Sequence, residues 1–525
     1  MSGGVRVDES ERSGDSAVES EVLDARLVPA AVCGWGVTAL ALTVGWRAGI
    51  WVAVGCGVAG LSVVGWMGRR RVWGTVARIV LGALVIGVGF GVAGAWHAYR
   101  VEGHPLHGVR KGQRMVAVAV LGDDPKRVAG RPFGGPKVMV RAELVEYRLG
   151  GKVIRAGGEV VVLAPAGGWR TLLPGQTVEF WARVDRPWRP DLTVAVLRAE
   201  SAPTAVGIAP WWQRIAGRVR GDFAGSAHRV LGADAAGLLP GLVIGDTSAL
   251  TDHVQESFRE CDLTHLTAVS GANVTILLAT VLVSMRTLTV DPRVAAVAAG
   301  AALVMFVVLA RPSPSVLRAA VMGAIALLSL CTGRRKQALP ALCAAVIVLL
   351  GWSPGLAVDA GFALSVLATA GLIVIAPGWS DWLRAHGWWR IPADAFAVAA
   401  AAFVVTTPLV IAMTGHLSMV AIAVNMMVEP VIAPITVLGA IGAILACLYA
   451  PLSVPILHCT SPPLWWLLTV SDHAAALGAS IALPTGLRSG LVTAVICALV
   501  LIALHPARTH GGPSRAGAGA VGADS

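Results

Sequence analysis

TVARIVLGALVIGVGFGVAGAWHAYRVEGHPLHGVRKGQRMVAVAVL, residues 75–121, runs from an unbroken apolar segment through a short basic stretch into a strand-like Val/Ala alternation. Residues 75–96 carry a single charge, Arg78, over a length that suits a hydrocarbon core, which takes about 17 to 25 residues of helix. The chain here leaves a bilayer and enters a soluble β-rich domain. The rest of the sequence has the same character: 525 residues, 55% apolar, 14% charged, with a mean hydropathy of +0.70. So little polar surface cannot cover soluble globules, and the chain needs lipid.

Two further spans precede this one, at about 27–45 and 48–67, and Arg69-Arg70-Arg71 lies between the second and third. Basic loops stay in the cytoplasm. The amino terminus is then cytoplasmic as well, and the third span delivers residue 100 to the outer face. Residues 1–25 are polar and acidic, without a basic region leading into an apolar core, and read as a disordered tail and not a signal peptide. Apolar runs resume near 263–285, 294–310, 315–332, 338–352, 355–376, 393–414, 418–450 (one long or two short and broken), 454–475 and 488–504. The clusters Arg334-Arg335-Lys336 and Arg384 to Arg390 fit cytoplasmic loops in the same topology.

Between 114 and 199 the pattern shortens to MVAVAVL, KVMVRAELVEY, EVVVLA, TVEFWARV and LTVAVLRA, separated by Gly/Pro turns. Five short strands suit a small barrel such as the oligonucleotide-binding (OB) barrel, and other small β folds too. Residues 100–210 hold 17 Arg or Lys against 10 Asp or Glu, so most of the net charge of +11 sits here. Arg141, Arg183, Arg186, Arg189 and Arg198 beside Trp169, Trp181 and Trp188 could follow a phosphate backbone while bases stack on indoles. A solvated domain near anionic headgroups has the same composition. Trp211-Trp212 with Arg214, Arg218, Arg220 and Arg229 reads as an interfacial amphipathic helix.

Polar residues inside apolar spans are expensive, so they face a cavity, a partner or water. Ser270 and Asn273 share a helical face, with His265 just before them; the alternative is ordinary hydrogen bonding between helices. In Arg311-Pro312-Ser313-Pro314-Ser315-Val-Leu-Arg318 two prolines begin a helix, Arg311 snorkels to the membrane surface and Arg318 needs an inward partner. Asp359, six residues before Ser365, is a candidate partner for Arg318 or a helix cap. Asn425, Glu429-Pro430 and Pro434 suggest helix interrupted at membrane depth. No nucleotide loop, no metal-binding His run and no nucleophile elbow is present, and His104 and His107 lack a third ligand. The eight cysteines show no disulfide or zinc spacing. The chain is therefore read as a non-enzyme without metal or cofactor.

The order of these motifs resembles the ComEC family of competence proteins. Gly237-Leu-Leu-Pro-Gly-Leu-Val-Ile-Gly245-Asp246 is similar to its Gly-Leu-Leu…Leu-Gly-Asp segment, and His265-Leu-Thr-Ala-Val-Ser270-Gly271 to its His-Leu-x-Ala-x-Ser-Gly signature. Ser315-Val-Leu-Arg318-Ala319, Asp359-Ala-Gly361-Phe362-Ala-Leu364-Ser365 and the run from Pro408 through Ser418 and Asn425 to Pro430 follow in the family's order. Many members have His where this chain has Asn273, and long members continue into a metallo-β-lactamase-like domain beyond the point where this sequence ends, at Ser525. The resemblance implies an α-helical polytopic membrane protein with an inserted, extracytoplasmic, all-β OB-like domain. It also implies a channel for single-stranded DNA in the inner membrane, working with a cytoplasmic helicase or motor, an outer DNA receptor or pilus, and a separate nuclease. The path would be lined by Asp246, His265, Ser270, Asn273, Ser315, Arg318, Asp359, Ser365 and Asn425. The alternative is a transporter or flippase of another anionic polymer or lipid. The expected division is a tail (1–25), three spans (26–99), the β domain (100–205), interfacial amphipathic helices (206–262), a channel domain (263–505) and a second disordered tail (506–525).

Overall fold

The three amino-terminal apolar runs form helices because they contain no proline beyond the first turn and satisfy their backbone groups internally, as lipid demands. They are Val28–Val44 (α1), Trp46–Arg70 (α2) and Thr75–Glu102 (α3). Small residues let them approach closely: a Cβ added at Gly49 would lie 2.7 Å from that of Ala41, and one at Gly91 would lie 2.8 Å from that of Ala53. This computed structural model describes residues 24–70, 74–128, 135–188, 191–267, 269–332 and 337–503. Arg71, Arg189, Arg334-Arg335-Lys336, nearly all of the expected 1–25 tail and the expected 506–525 tail lie outside the described residues.

The insert is β-rich as its alternation predicts. Its strands are Arg114–Leu121 (β1), Lys126–Val128 (β2), Lys137–Leu149 (β3), Lys152–Pro165 (β4), Thr177–Asp185 (β5), Thr193–Ala199 (β6) and Ala205–Val206 (β7). The long strands pair in the order β1-β3-β4-β6-β5, and β5 pairs again with β1. All of these pairs are antiparallel except β4–β6. This strand order, with its one parallel pair, is OB-like. The long strands fill a core of Val, Ala and Leu around Trp169, whose ring meets Phe180 edge-on at 5.0 Å. Trp169 is fully buried and donates its indole N–H to Ser201 O at 2.9 Å. It is thus a core residue and not a base-stacking platform, because its position falls on the inward side of the barrel.

Beyond the insert come Trp211–Val230 (α4), Ala233–Ile244 (α5) and Asp252–Glu260 (α6). α4 is amphipathic as expected, with Trp211, Trp212 and Ile215 exposed and Ala216, Phe223 and Ala227 buried. α5 departs from the interfacial expectation: it is apolar on all sides and buried from Ala236 through Ile244. The remaining helices are Gly271–Thr287 (α7), Pro292–Ala310 (α8), Pro314–Thr332 (α9), Ala338–Trp352 (α10), Ala360–Val374 (α11), Ala376–Ala385 (α12), Arg390–Thr414 (α13), Ala421–Leu448 (α14), Ala450–His458 (α15), Ser461–Ala476 (α16) and Leu487–Ala503 (α17). A small ladder of His416–Ser418 (β8) with Ser480–Ala482 (β9) joins the start of α14 to the region after α16.

Among the described residues, seven helices are long and apolar enough to cross a membrane, and five shorter ones are apolar, so the protein is a multi-pass membrane protein. The expected interruption at Pro430 and Pro434 does not occur, since α14 runs through both. Further along, the hydroxyl of Thr436 donates to Ile432 O at 2.9 Å and Gly439 packs tightly against Val243 of α5, so the helix is held by its neighbours. The expected span at 454–475 is instead two helices, α15 and α16, and the one at 263–285 begins only at Gly271.

Candidate functional site

Two prolines set the start of α9. Pro314 occupies its first position, where a missing N–H costs nothing, and Arg318 lies one turn further on the buried side. Only 7% of Arg318 is exposed. Its Nε donates to Ser365 Oγ of α11 at 2.8 Å, and Nη1 reaches Met322 Sδ at 3.6 Å. Its Nη2 lies over the start of α7, 3.5 Å from where a Cβ on Gly271 would stand. Among the described residues, Arg318 has no carboxylate within ion-pair distance. A buried guanidinium without a counter-charge carries a desolvation penalty that hydroxyl partners repay only in part.

The start of α7 adds further polarity. Ser270 is its capping residue, yet its side chain caps no backbone N–H and instead donates to Asn273 Oδ1 at 3.3 Å. Asn273 is buried and donates to Leu242 O of α5 at 2.8 Å. Ser315 donates to Val269 O at 3.1 Å. Ser270, Asn273, Ser315, Arg318 and Ser365 are therefore brought together from three helix regions. The uncapped N–H groups of α7 and the guanidinium lie close together and are both positive, an arrangement suited to an anion such as a phosphate.

The other expected residues lie elsewhere. Asp359 does not pair with Arg318; its Oδ1 caps α11 by accepting Phe362 N–H at 2.8 Å, and its Oδ2 is 3.7 Å from Arg141 of the β domain. Asp246 accepts Ser248 N–H at 3.1 Å and stands 3.4 Å from Arg220. His265 is in the turn before α7, exposed, with Nδ1 3.0 Å from Asp262 O. Asn425 donates to Ala421 O one turn back on its own helix. Arg311, expected to snorkel to the membrane surface, is 7% exposed and donates to Asp124 Oδ2 at 2.8 Å and to Gln213. A half-buried carboxylate supplied by the β domain is what holds it inward.

Two residues important to this junction escaped the sequence reading, Asp124 and the inward role of Arg220. Arg220 Nη2 is 3.2 Å from Asp124 Oδ2, and its Nη1 donates to Ile244 O and Leu309 O. The signal existed in α4, where Ala216, Arg220, Phe223 and Ala227 follow the helical period of the apolar stripe.

On the β domain, Arg114 stacks over the Trp181 ring at 4.3 Å, and Glu200 holds both Arg114 and Arg183, at 2.9 and 2.8 Å. Arg186 and Trp188 are exposed, while the expected Arg189 lies outside the described residues. Asp185 is buried, which opposes its ionisation, but the Arg186 N–H, Arg198 and Lys111 outweigh that and hold its carboxyl below the usual range. His104 and His107 are structural: Leu106 N–H donates to His104 Nδ1, and the two ring nitrogens of His107 meet Glu102 O and Val194 O.

The fold and the site together define a multi-pass membrane protein in which an OB-like domain is ion-paired to helices that meet around a buried arginine with no carboxylate partner among the described residues. Residues 242–509, more than half of the chain and all of the converging cluster, match the family model described as Competence protein, and the chain belongs to that family. It is similar to ComE operon protein 3 of Bacillus subtilis (strain 168), 32% identical over 147 residues, which cover 28% of this chain and 19% of that protein. No solved structure matches the chain.

Proposed function

We propose that this protein conducts single-stranded DNA across the cytoplasmic membrane during natural transformation. The observation that carries this reading is Arg318, buried and with no carboxylate partner among the described residues, facing the uncapped start of α7 beside Ser270, Asn273, Ser315 and Ser365. A passing phosphodiester supplies the missing negative charge, and hydroxyls of modest strength let it leave again. Membership of the competence family and the basic β domain support the same substrate.

In this reading the amino terminus is cytoplasmic and the β domain faces outward, an orientation that the distribution of basic loops supports. Trp181, Trp188, Arg183 and Arg186 receive the strand. The chain acts as a passive conduit and no enzyme, so a cytoplasmic helicase or motor draws the strand inward, an outer receptor or pilus delivers it, and a separate nuclease removes the complementary strand.

The test is the double substitution Arg318→Ala with Asn273→Ala. Uptake of labelled DNA should be abolished while the amount of protein in the membrane is unchanged. Wild-type uptake by that variant overturns the reading. Binding of the β domain to anionic vesicles in preference to oligonucleotides would favour a lipid or another anionic polymer as cargo.

A further inference from the structure

The geometry points to the β domain as a two-point clamp that positions Arg318, with Asp124 and Arg141 as its contact residues; its effect on uptake rests on the transport reading above. The first contact begins in the turn between β1 and β2. Asp124 Oδ2 receives Arg311 Nε at 2.8 Å and Arg220 Nη2 at 3.2 Å, and each arginine is only 7% exposed. Arg311 ends α8 with a φ of +70°, a left-handed conformation that a side chain with a Cβ adopts only when its surroundings enforce it. Its carbonyl accepts Ser313 N–H at 2.8 Å, α9 begins at the next residue, and Arg318 follows one turn later. The anchoring of Arg311 by Asp124 therefore fixes where α9 starts.

The second contact uses Arg141 of β3. It is 3.7 Å from Asp359, the residue that caps α11, and it lines a cavity of about 260 Å³ with Glu159, Asp191 and Asp359. Ser365, which receives Arg318 Nε, lies on the same helix six residues beyond that cap. Arg141 thus faces carboxylates of the domain seam, although much of its side chain remains exposed.

The two contacts are held at a fixed spacing. Gly122 N–H donates to Arg141 O at 2.8 Å, and β2 pairs with β3 through Lys126 and Met139, so the turn bearing Asp124 is sewn to the strand bearing Arg141. One rigid edge of the barrel therefore sets both the start of α9 and the start of α11, the two helices whose side chains meet in the Arg318–Ser365 bond. Asp124 and Arg141 are positioning residues, since their contacts are with Arg311, Arg220 and Asp359 and not with Arg318 or the hydroxyls around it.

The test compares Asp124→Asn and Arg141→Gln with the wild-type full chain in detergent, by hydrogen exchange resolved to peptides. Residues 311–318 should exchange roughly a hundredfold faster in Asp124→Asn, which leaves buried Arg311 without its carboxylate and Arg220 with Asp246 alone. Residues 359–365 should exchange about two- to fivefold faster in Arg141→Gln, whose pair is partly exposed. Asp124→Glu, which retains the charge, should recover much of the protection. In cells, Arg141→Gln should lower the maximal uptake rate at an unchanged half-saturating DNA concentration. Wild-type exchange in both segments overturns the clamp, and so does a raised half-saturating concentration at an unchanged maximal rate, which would make Arg141 a DNA contact. If Asp124→Asn fails to insert, Arg141→Gln carries the same two readouts. Absence of uptake by the wild-type chain defeats the transport reading alone, because the exchange comparison still decides the clamp.

Discussion

Arg318 has one strong protein partner, and the consequence can be measured. Ser365→Ala removes the acceptor of a charged donor and should cost about 1.5–3 kcal/mol, read as a lower unfolding temperature of the purified protein in detergent, while Ser365→Thr should largely restore it. Asp185 gives a prediction in pH. Its carboxyl is held below the usual range in the folded domain, so the stability it contributes is present above the unfolded aspartate value and is lost as pH falls through the depressed native one. Acid unfolding of the β domain should therefore shift to higher pH in Asp185→Asn at the cost of lower stability near neutrality, and an unchanged acid limb would refute that role. At this scale the sequence exposed the polar residues by their misfit with apolar surroundings, but not their partners. Asp359 was legible as a cap because Asp before Ala-Gly-Phe is a local signal, whereas its contact with Arg141 joins positions far apart in the chain. Arg311 was misread for the same reason, since nothing within its own segment announces Asp124.

Helix-to-helix contacts in lipid depend on small residues, and α14 shows this most sharply. A Cβ on Gly439 would lie 2.4 Å from Val243 Cγ2 of α5, so Gly439→Ala should cost about 1–3 kcal/mol and Gly439→Val should sharply reduce folded protein in the membrane, scored by protease resistance of the inserted chain. Wild-type resistance of the valine variant would show that α5 and α14 separate easily. Strand alternation and apolar runs made most elements readable, because burial on one face or all round leaves a periodic trace. The failures have physical causes. α5 is short and was grouped with its amphipathic neighbours, although its uniform apolarity marks a buried helix. Pro430 and Pro434 suggested a break, but neighbouring helices tolerate proline where the ladder loses a bond.

For the molecule as a whole, the barrel's core draws, among the described residues, on side chains from Val101 to Ala199, so residues 101–210 should fold and bind oligonucleotides in isolation. Affinity should fall with salt, with a logarithmic slope of about −0.7 for each phosphate neutralised. A shallow slope is expected, because Glu146, Glu179, Asp185 and Glu200 already engage several of the arginines. A salt-independent affinity would remove the electrostatic capture step. Composition disclosed the membrane class and the inserted domain, but the way the barrel grips the helices was hidden, since it rests on a few ion pairs between distant segments. That distance bears on biogenesis. Asp124 and Arg311 are 187 residues apart, so the barrel can be complete while the ribosome has yet to translate α9. The finished barrel then serves as the template onto which late helices are threaded, and lesions in it would surface as nascent chains handed to quality-control proteases.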